Sequence, residues 1–128
     1  MPIERIIVGR ILVIDDEESI RSLLQTILQR RHHDVLLAAS GAEGLEQFRQ
    51  HAPDVTILDL KMPGMNGLQV LQHTRAVAPM APVIVLTGAG TEATEQEARA
   101  YGITAFLTKQ FSLHELGAAL RLVLGNSA

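Results

Sequence analysis

The sequence predicts an α/β fold in which five parallel strands form one sheet covered by helices on both faces. Three observations carry this expectation. Short apolar runs alternate with amphipathic helical patterns along the whole chain, five of each. The first run, Ile11 to Ile14, is continuously apolar, the mark of a strand buried on both faces. The connections between successive elements are short, and right-handed crossovers over short connections return each strand parallel to the last.

The elements follow in order. Ile11-Leu12-Val13-Ile14 is a β-branched first strand that ends abruptly in Asp15-Asp16-Glu17-Glu18. The first helix carries Ile20, Leu23, Leu24, Ile27 and Leu28 at helical spacing. Val35 to Ala38 forms the second strand, and Ser40-Gly41 opens a helix with Ala42, Leu45 and Phe48 on one face and Glu43 at the capping-box position. Val55 to Leu58 is the third strand, ended by Asp59 and followed by a turn-rich loop from Lys61 to Gly67. A third helix is expected from about Gly67 to Ala76, then a fourth strand from Val83 to Leu86 that ends in Thr87-Gly88-Ala89-Gly90. An Ala/Glu-rich helix from about Thr91 to Ala100 leads to a short fifth strand, Ala105 to Leu107, ended by Thr108-Lys109-Gln110. Ser112 caps the last helix, whose Leu113, Leu116, Leu120 and Val123 are expected to face inward.

With 128 residues the chain fits one domain, here expected at 10–124 between an N-terminal extension (1–9) and a C-terminal tail (125–128). A chain of this size buries about two-thirds of its extended surface, enough for a core without cross-links. There is no Cys, which excludes disulfides, thiolate metal sites and a cysteine nucleophile, and fits a cytoplasmic setting. No apolar run is long enough for a membrane span, and the first residues carry no secretory pattern. Net charge is -3 and aromatics make up 3%, so neither a basic stripe nor stacking rings point to direct nucleic-acid binding. Only two lysines occur, Lys61 and Lys109, against nine arginines, which directs attention to those two.

In an open parallel sheet ligands bind beyond the carboxyl ends of the strands, where strand order reverses. The residues just past those ends are Asp15 and Asp16, Asp59, Thr87 and Lys109. Alone, Asp15 and Asp16 read equally well as caps of the first helix. Asp59 changes the balance, because it precedes a loop rather than a helix. Converging carboxylates call for a cation, and hard oxygen ligands suit Mg²⁺, with Mn²⁺ as its chemical neighbour. Opposite them, a Lys109 ammonium and a Thr87 hydroxyl would share the oxygens of a phosphoryl group.

These residues closely resemble the response-regulator receiver domain, the phosphoacceptor module of two-component signalling, of the chemotaxis-regulator kind. The matching stretches are Ile11 to Glu17, Leu58 to Gly67, Val85 to Gly88 and Phe106 to Lys109, spread over most of the chain. The resemblance implies a flavodoxin-like doubly wound (βα)5 sandwich with strand order 2-1-3-4-5. It also implies that Asp59 is the phosphoacceptor for a phosphohistidine on a sensor histidine kinase or histidine phosphotransfer protein. Asp16 and Asp59 would ligate the metal directly, Asp15 through water, and Lys61 through its backbone carbonyl. Lys109 would pair with the phosphoryl oxygens, while Thr87 and Phe106 would form a coupled switch. The output would be a changed face made by the fourth helix, fifth strand and fifth helix, read by an effector protein or domain or by a second copy of the chain. Such a module is a phosphoacceptor rather than a turnover enzyme.

Departures and rivals complete the reading. The family usually places Pro after the lysine with a cis bond, whereas Gln110 follows here. Either that bond stays cis, at about 2.5–4 kcal/mol, or it is trans and Lys109 moves. Phe106 lacks the hydroxyl of the frequent Tyr, and Gly88 leaves the site accessible. Gly88 to Ala93 formally matches a dinucleotide fingerprint, but it lies in the fourth βα unit with Glu92 and Glu95 beside it. A flavin-binding reading fails on the four acids after the first strand. An aspartyl phosphatase would want a second Asp where Lys61 stands. The five histidines are adjacent (His32, His33) or isolated, and form no chelating set. Two alternatives stay open: an interaction module that signals without phosphorylation, and the receiver part of a larger transcription regulator or hybrid kinase.

Overall fold

The computed structural model describes residues 8–88 and 90–125. The extension and tail expected at 1–9 and 125–128 therefore lie almost wholly outside the described residues. Ten elements alternate: β1 (Arg10–Ile14), α1 (Glu18–Arg30), β2 (Asp34–Ala38), α2 (Gly41–His51), β3 (Val55–Leu58), α3 (Gly67–Val77), β4 (Val83–Thr87), α4 (Glu92–Ala100), β5 (Ala105–Thr108) and α5 (Leu113–Leu124). All strand pairs are parallel, in the order β2-β1-β3-β4-β5. The expected flavodoxin-like topology is thus the observed one.

Side-chain alternation along the strands builds two cores, one on each face. Leu12, Ile14, Leu58, Val83 and Val85 meet α2, α3 and α4, where Leu45, Phe48, Val70, Leu71 and Ala98 are buried. Ile11, Val13, Ile57, Ile84 and Leu86 meet α1 and α5 through Leu24, Leu28, Leu116 and Leu120. This division is why β1 and β4 read as unbroken apolar runs, while in β3 the buried Thr56 interrupts one.

Four details depart from the sequence reading. Ala42 is exposed, and the buried face of α2 consists of Gly41, Gly44, Leu45 and Phe48. Helix and sheet approach so closely there that a Cβ on Gly44 would overlap the side chain of Ile14. Leu23 is 46% exposed, because α1 centres its buried stripe on Leu24 and Leu28 and turns Leu23 to the rim. Leu113 is 55% exposed, since it is the first residue of α5, ahead of the turn that meets the sheet. The capping at α2 is one-sided: Ser40 accepts from the Glu43 N–H, but the Glu43 carboxylate accepts from the N–H of Ala39, one residue before the cap, instead of from that of Ser40. Reciprocal capping boxes occur instead at Asn66, Thr91 and Ser112, opening α3, α4 and α5.

Candidate functional site

β1 and β3 are adjacent, and strand order reverses at this pair, so their carboxyl ends border a crevice. Asp15 continues β1 by one residue, donating its N–H to the carbonyl of Ala38 at 3.1 Å. Asp59 continues β3 likewise, donating its N–H to Ile14 at 3.0 Å. Both side chains are buried, each residue 2% exposed, whereas Asp16 faces solvent. Backbone donors fix the two buried carboxylates. Asp15 Oδ1 accepts from the Glu17 N–H at 2.8 Å, and Asp59 Oδ1 from the Lys61 N–H at 3.3 Å. Arg21 braces the turn from outside by donating to the Asp15 carbonyl at 2.8 Å.

The loop after β3 folds back tightly onto Asp59. Gly67 donates its N–H to Leu60 at 2.9 Å, and a Cβ at Gly67 would strike the Asp59 carbonyl. Glycine is required there by close backbone approach. With this loop in place, carboxylate oxygens of Asp15, Asp16 and Asp59 all lie within 4.8 Å of one another.

Lys109 enters from the end of β5. Its N–H donates to the Thr87 carbonyl at 3.1 Å, and its aliphatic stem passes Gly88, where a Cβ would lie 3.4 Å from Lys109 Cδ. The ammonium lies 3.2 Å from Asp59 Oδ2, 3.2 Å from both oxygens of Asp15 and 2.6 Å from Glu17 Oε1. The Lys109–Gln110 bond is trans, as no cis peptide occurs among the described residues, and Lys109 reaches the carboxylates regardless. Burial pushes the Asp15 carboxyl above its usual range, helped by the charge of Asp59 and opposed by the Glu17 N–H and Lys109. Burial alone would lower the Lys109 ammonium, but bonds to Glu17 and Asp15 and the charge of Asp59 outweigh it and hold the ammonium well above its ordinary value.

Thr87 is buried at the end of β4, and Phe106 is half-buried opposite Val85 in the ladder. They converge on Gly90, where an added Cβ would lie 2.8 Å from Phe106 Cε1 and 3.2 Å from Thr87 Cγ2. The structure therefore brings Asp15, Asp16, Asp59 and Lys109 to one point, with Lys61 bound to Asp59 through its backbone. Thr87 and Phe106 stand as neighbours at the adjoining strand ends.

Sequence reasoning missed Glu17. It belongs to the acidic run after β1, but only the turn made by Asp15 and the Glu17 N–H decides that this acid, rather than Glu18, meets the lysine. Chemically, the site offers hard oxygen donors whose charge exceeds that of the single ammonium among them, so a divalent cation such as Mg²⁺ or Mn²⁺ fits the donor set.

Comparison with known proteins agrees with this geometry. Residues 11–121 match the family model described as response regulator receiver domain. The chain is 36% identical over 118 residues to the alkaline phosphatase synthesis transcriptional regulatory protein PhoP of Bacillus subtilis, covering 92% of this chain and 49% of that one. It is 30% identical to sporulation initiation phosphotransferase F of the same organism, covering 90% of this chain and 93% of that protein. Among solved structures, chemotaxis protein CheY4 of Vibrio cholerae superposes with a TM-score of 0.85 at 32% identity, covering 91% of this chain and 99% of that one. A receiver domain protein from Clostridium thermocellum superposes at 0.86 and 33% identity, covering 91% and 94%. The chain spans about half the length of several curated relatives it matches.

Proposed function

Because the chain belongs to the response regulator receiver domain family, we propose that it accepts a phosphoryl group from a phosphohistidine onto Asp59. The observation that carries this reading is the convergence of Asp15, Asp16 and Lys109 on the one carboxylate that ends the central strand β3. In the transfer, an Asp59 oxygen forms the new bond to phosphorus while the phosphorus–nitrogen bond to the donor imidazole breaks. The electron pair stays on that nitrogen, which takes up a proton. Lys109 holds the phosphoryl oxygens as a compact point charge. The backbone N–H of Lys61 keeps Asp59 oriented for attack.

Asp15, Asp16, Asp59 and the Lys61 carbonyl would hold Mg²⁺ or Mn²⁺. When bound, the ion offsets the charge of the carboxylates and of the transferring group. Hydrolysis of the acyl phosphate resets the molecule, which acts as a phosphoacceptor and not as a turnover enzyme on a separate substrate.

Phosphorylation adds nearly two negative charges and three acceptors at this end of the sheet. Thr87 is drawn toward them, and the ring of Phe106, already against Gly90 beside Thr87, turns into the space released. The surface formed by α4, β5 and α5 changes accordingly. Its reader is an effector domain, an effector protein or a second copy of the chain. A cytoplasmic histidine kinase or phosphotransfer protein is the donor in this reading.

Intact-mass measurement with a small phosphodonor and Mg²⁺ tests it. Wild type should gain one phosphoryl group, whereas Asp59→Asn and a chelated sample should gain none. An unchanged wild-type mass would leave the family fold in place and favour an interaction module that signals by binding alone.

A further inference from the structure

An ammonium has three N–H donors. In Lys109 three carboxylates claim them, and the shortest contact is neither of the buried acids but Glu17 Oε1 at 2.6 Å, against 3.2 Å to Asp15 and 3.2 Å to Asp59. The three acceptors differ in freedom. Asp15 and Asp59 are buried and tied to backbone N–H groups, while the Glu17 side chain is 54% exposed. Glu17 is also the N-cap residue of α1, yet its side chain makes no capping bond to the helix. Its carboxylate is committed to Lys109 instead. The shortest contact of the ammonium is thus made to the most exposed of its three acceptors, while it also reaches Asp59.

We propose that Glu17 is a positioning residue that holds Lys109 in the resting molecule and competes for its ammonium with the anionic group formed on Asp59. The second half rests on the phosphoacceptor reading of Asp59. A phosphoryl group there brings oxygens that need the same donors. Of the three present acceptors, Glu17 is the one whose bond water replaces most readily, so its release accompanies charging of the site. A strong hold disfavours the charged state, and a weak hold favours it.

The two lysines of the chain make this measurable, because Lys61 is exposed and serves as an internal reference for Lys109. Amine labelling without metal or phosphodonor, resolved by peptide mass, should modify Lys109 faster in Glu17→Gln than in wild type, by about threefold relative to Lys61. Titration with beryllium fluoride and Mg²⁺ should show binding tighter by about the same factor in Glu17→Gln. Glu17→Asp, which keeps the charge, should restore slower labelling. Glu18→Gln removes the same charge one residue on, at a side chain with no contact to Lys109, and should match wild type in both measurements. Equal effects from Glu17→Gln and Glu18→Gln would reduce the result to general electrostatics and overturn the proposal, as would unchanged labelling of Lys109. If wild type takes up neither phosphoryl group nor beryllium fluoride, the reading of Asp59 falls and the competition with it. The labelling ratio still decides whether Glu17 holds the lysine.

Discussion

His33 shows how one side chain couples this fold to pH. Its Nδ1 accepts the Gly9 N–H at 3.2 Å, an arrangement that needs a neutral ring. Burial, reinforced by the charge of Arg31, lowers its pKa below the ordinary 6.5. Below pH 6.5 the unfolded chain therefore binds a proton that the folded chain refuses. The contribution of His33 to stability is complete above that pH and is lost as pH falls toward the lowered value. Urea unfolding at pH 7.5 and pH 5 should show the advantage of wild type over His33→Gln shrinking on acidification, and a constant difference between the two would refute this role. Nothing in the sequence announced it, because His33 looks like any polar residue before a strand until Gly9 is placed beside it. The acids and Lys109 were legible for the opposite reason: strand ends locate side chains without any tertiary knowledge. Which acid takes the shortest bond to Lys109 was not, since that depends on a turn only the folded backbone shows.

Between elements, Arg75 joins three segments. Its guanidinium donates to the carbonyls of Tyr101 at 2.6 Å and Ala81 at 2.7 Å, linking α3 to the entrance of β4 and the exit of α4. Gln72 adds a bond to the Tyr101 hydroxyl at 2.6 Å. The C-terminal end of α4 is thus pinned to α3, while its N-terminal end adjoins Thr87 and Phe106. Arg75→Met should cost about 1–3 kcal/mol, because carbonyls at two chain turns lose their partner. Chemical denaturation measures this directly, and a loss under 0.5 kcal/mol would show that water substitutes for the guanidinium (roughly the scatter of neutral surface changes). Helix periodicity located every helix yet misplaced Leu23, Ala42 and Leu113. An apolar spacing names a stripe but not which residue lies at its centre, and that is settled by the angle at which each helix meets the sheet.

Across the described residues, one destabilising feature lies at the carboxyl end of the sheet, where buried Asp15 and Asp59 face each other. Their repulsion is only partly answered by Lys109. In metal-free buffer Asp59→Asn should melt above wild type by a few degrees. Saturating Mg²⁺ should raise wild type by roughly 5 °C and leave the variant nearly unmoved. Equal shifts in both proteins would mean that the ion binds elsewhere. The same site has a consequence for synthesis. Asp15 and Lys109, bonded through side chains, are separated by 94 positions, and β5 pairs only with β4 at the far edge of the sheet. A nascent chain that has emerged only as far as β4 has the acids but no lysine to set among them. The carboxylates therefore wait for their counter-charge until the edge strand β5 has paired, and the strands that carry the acids emerge well before it.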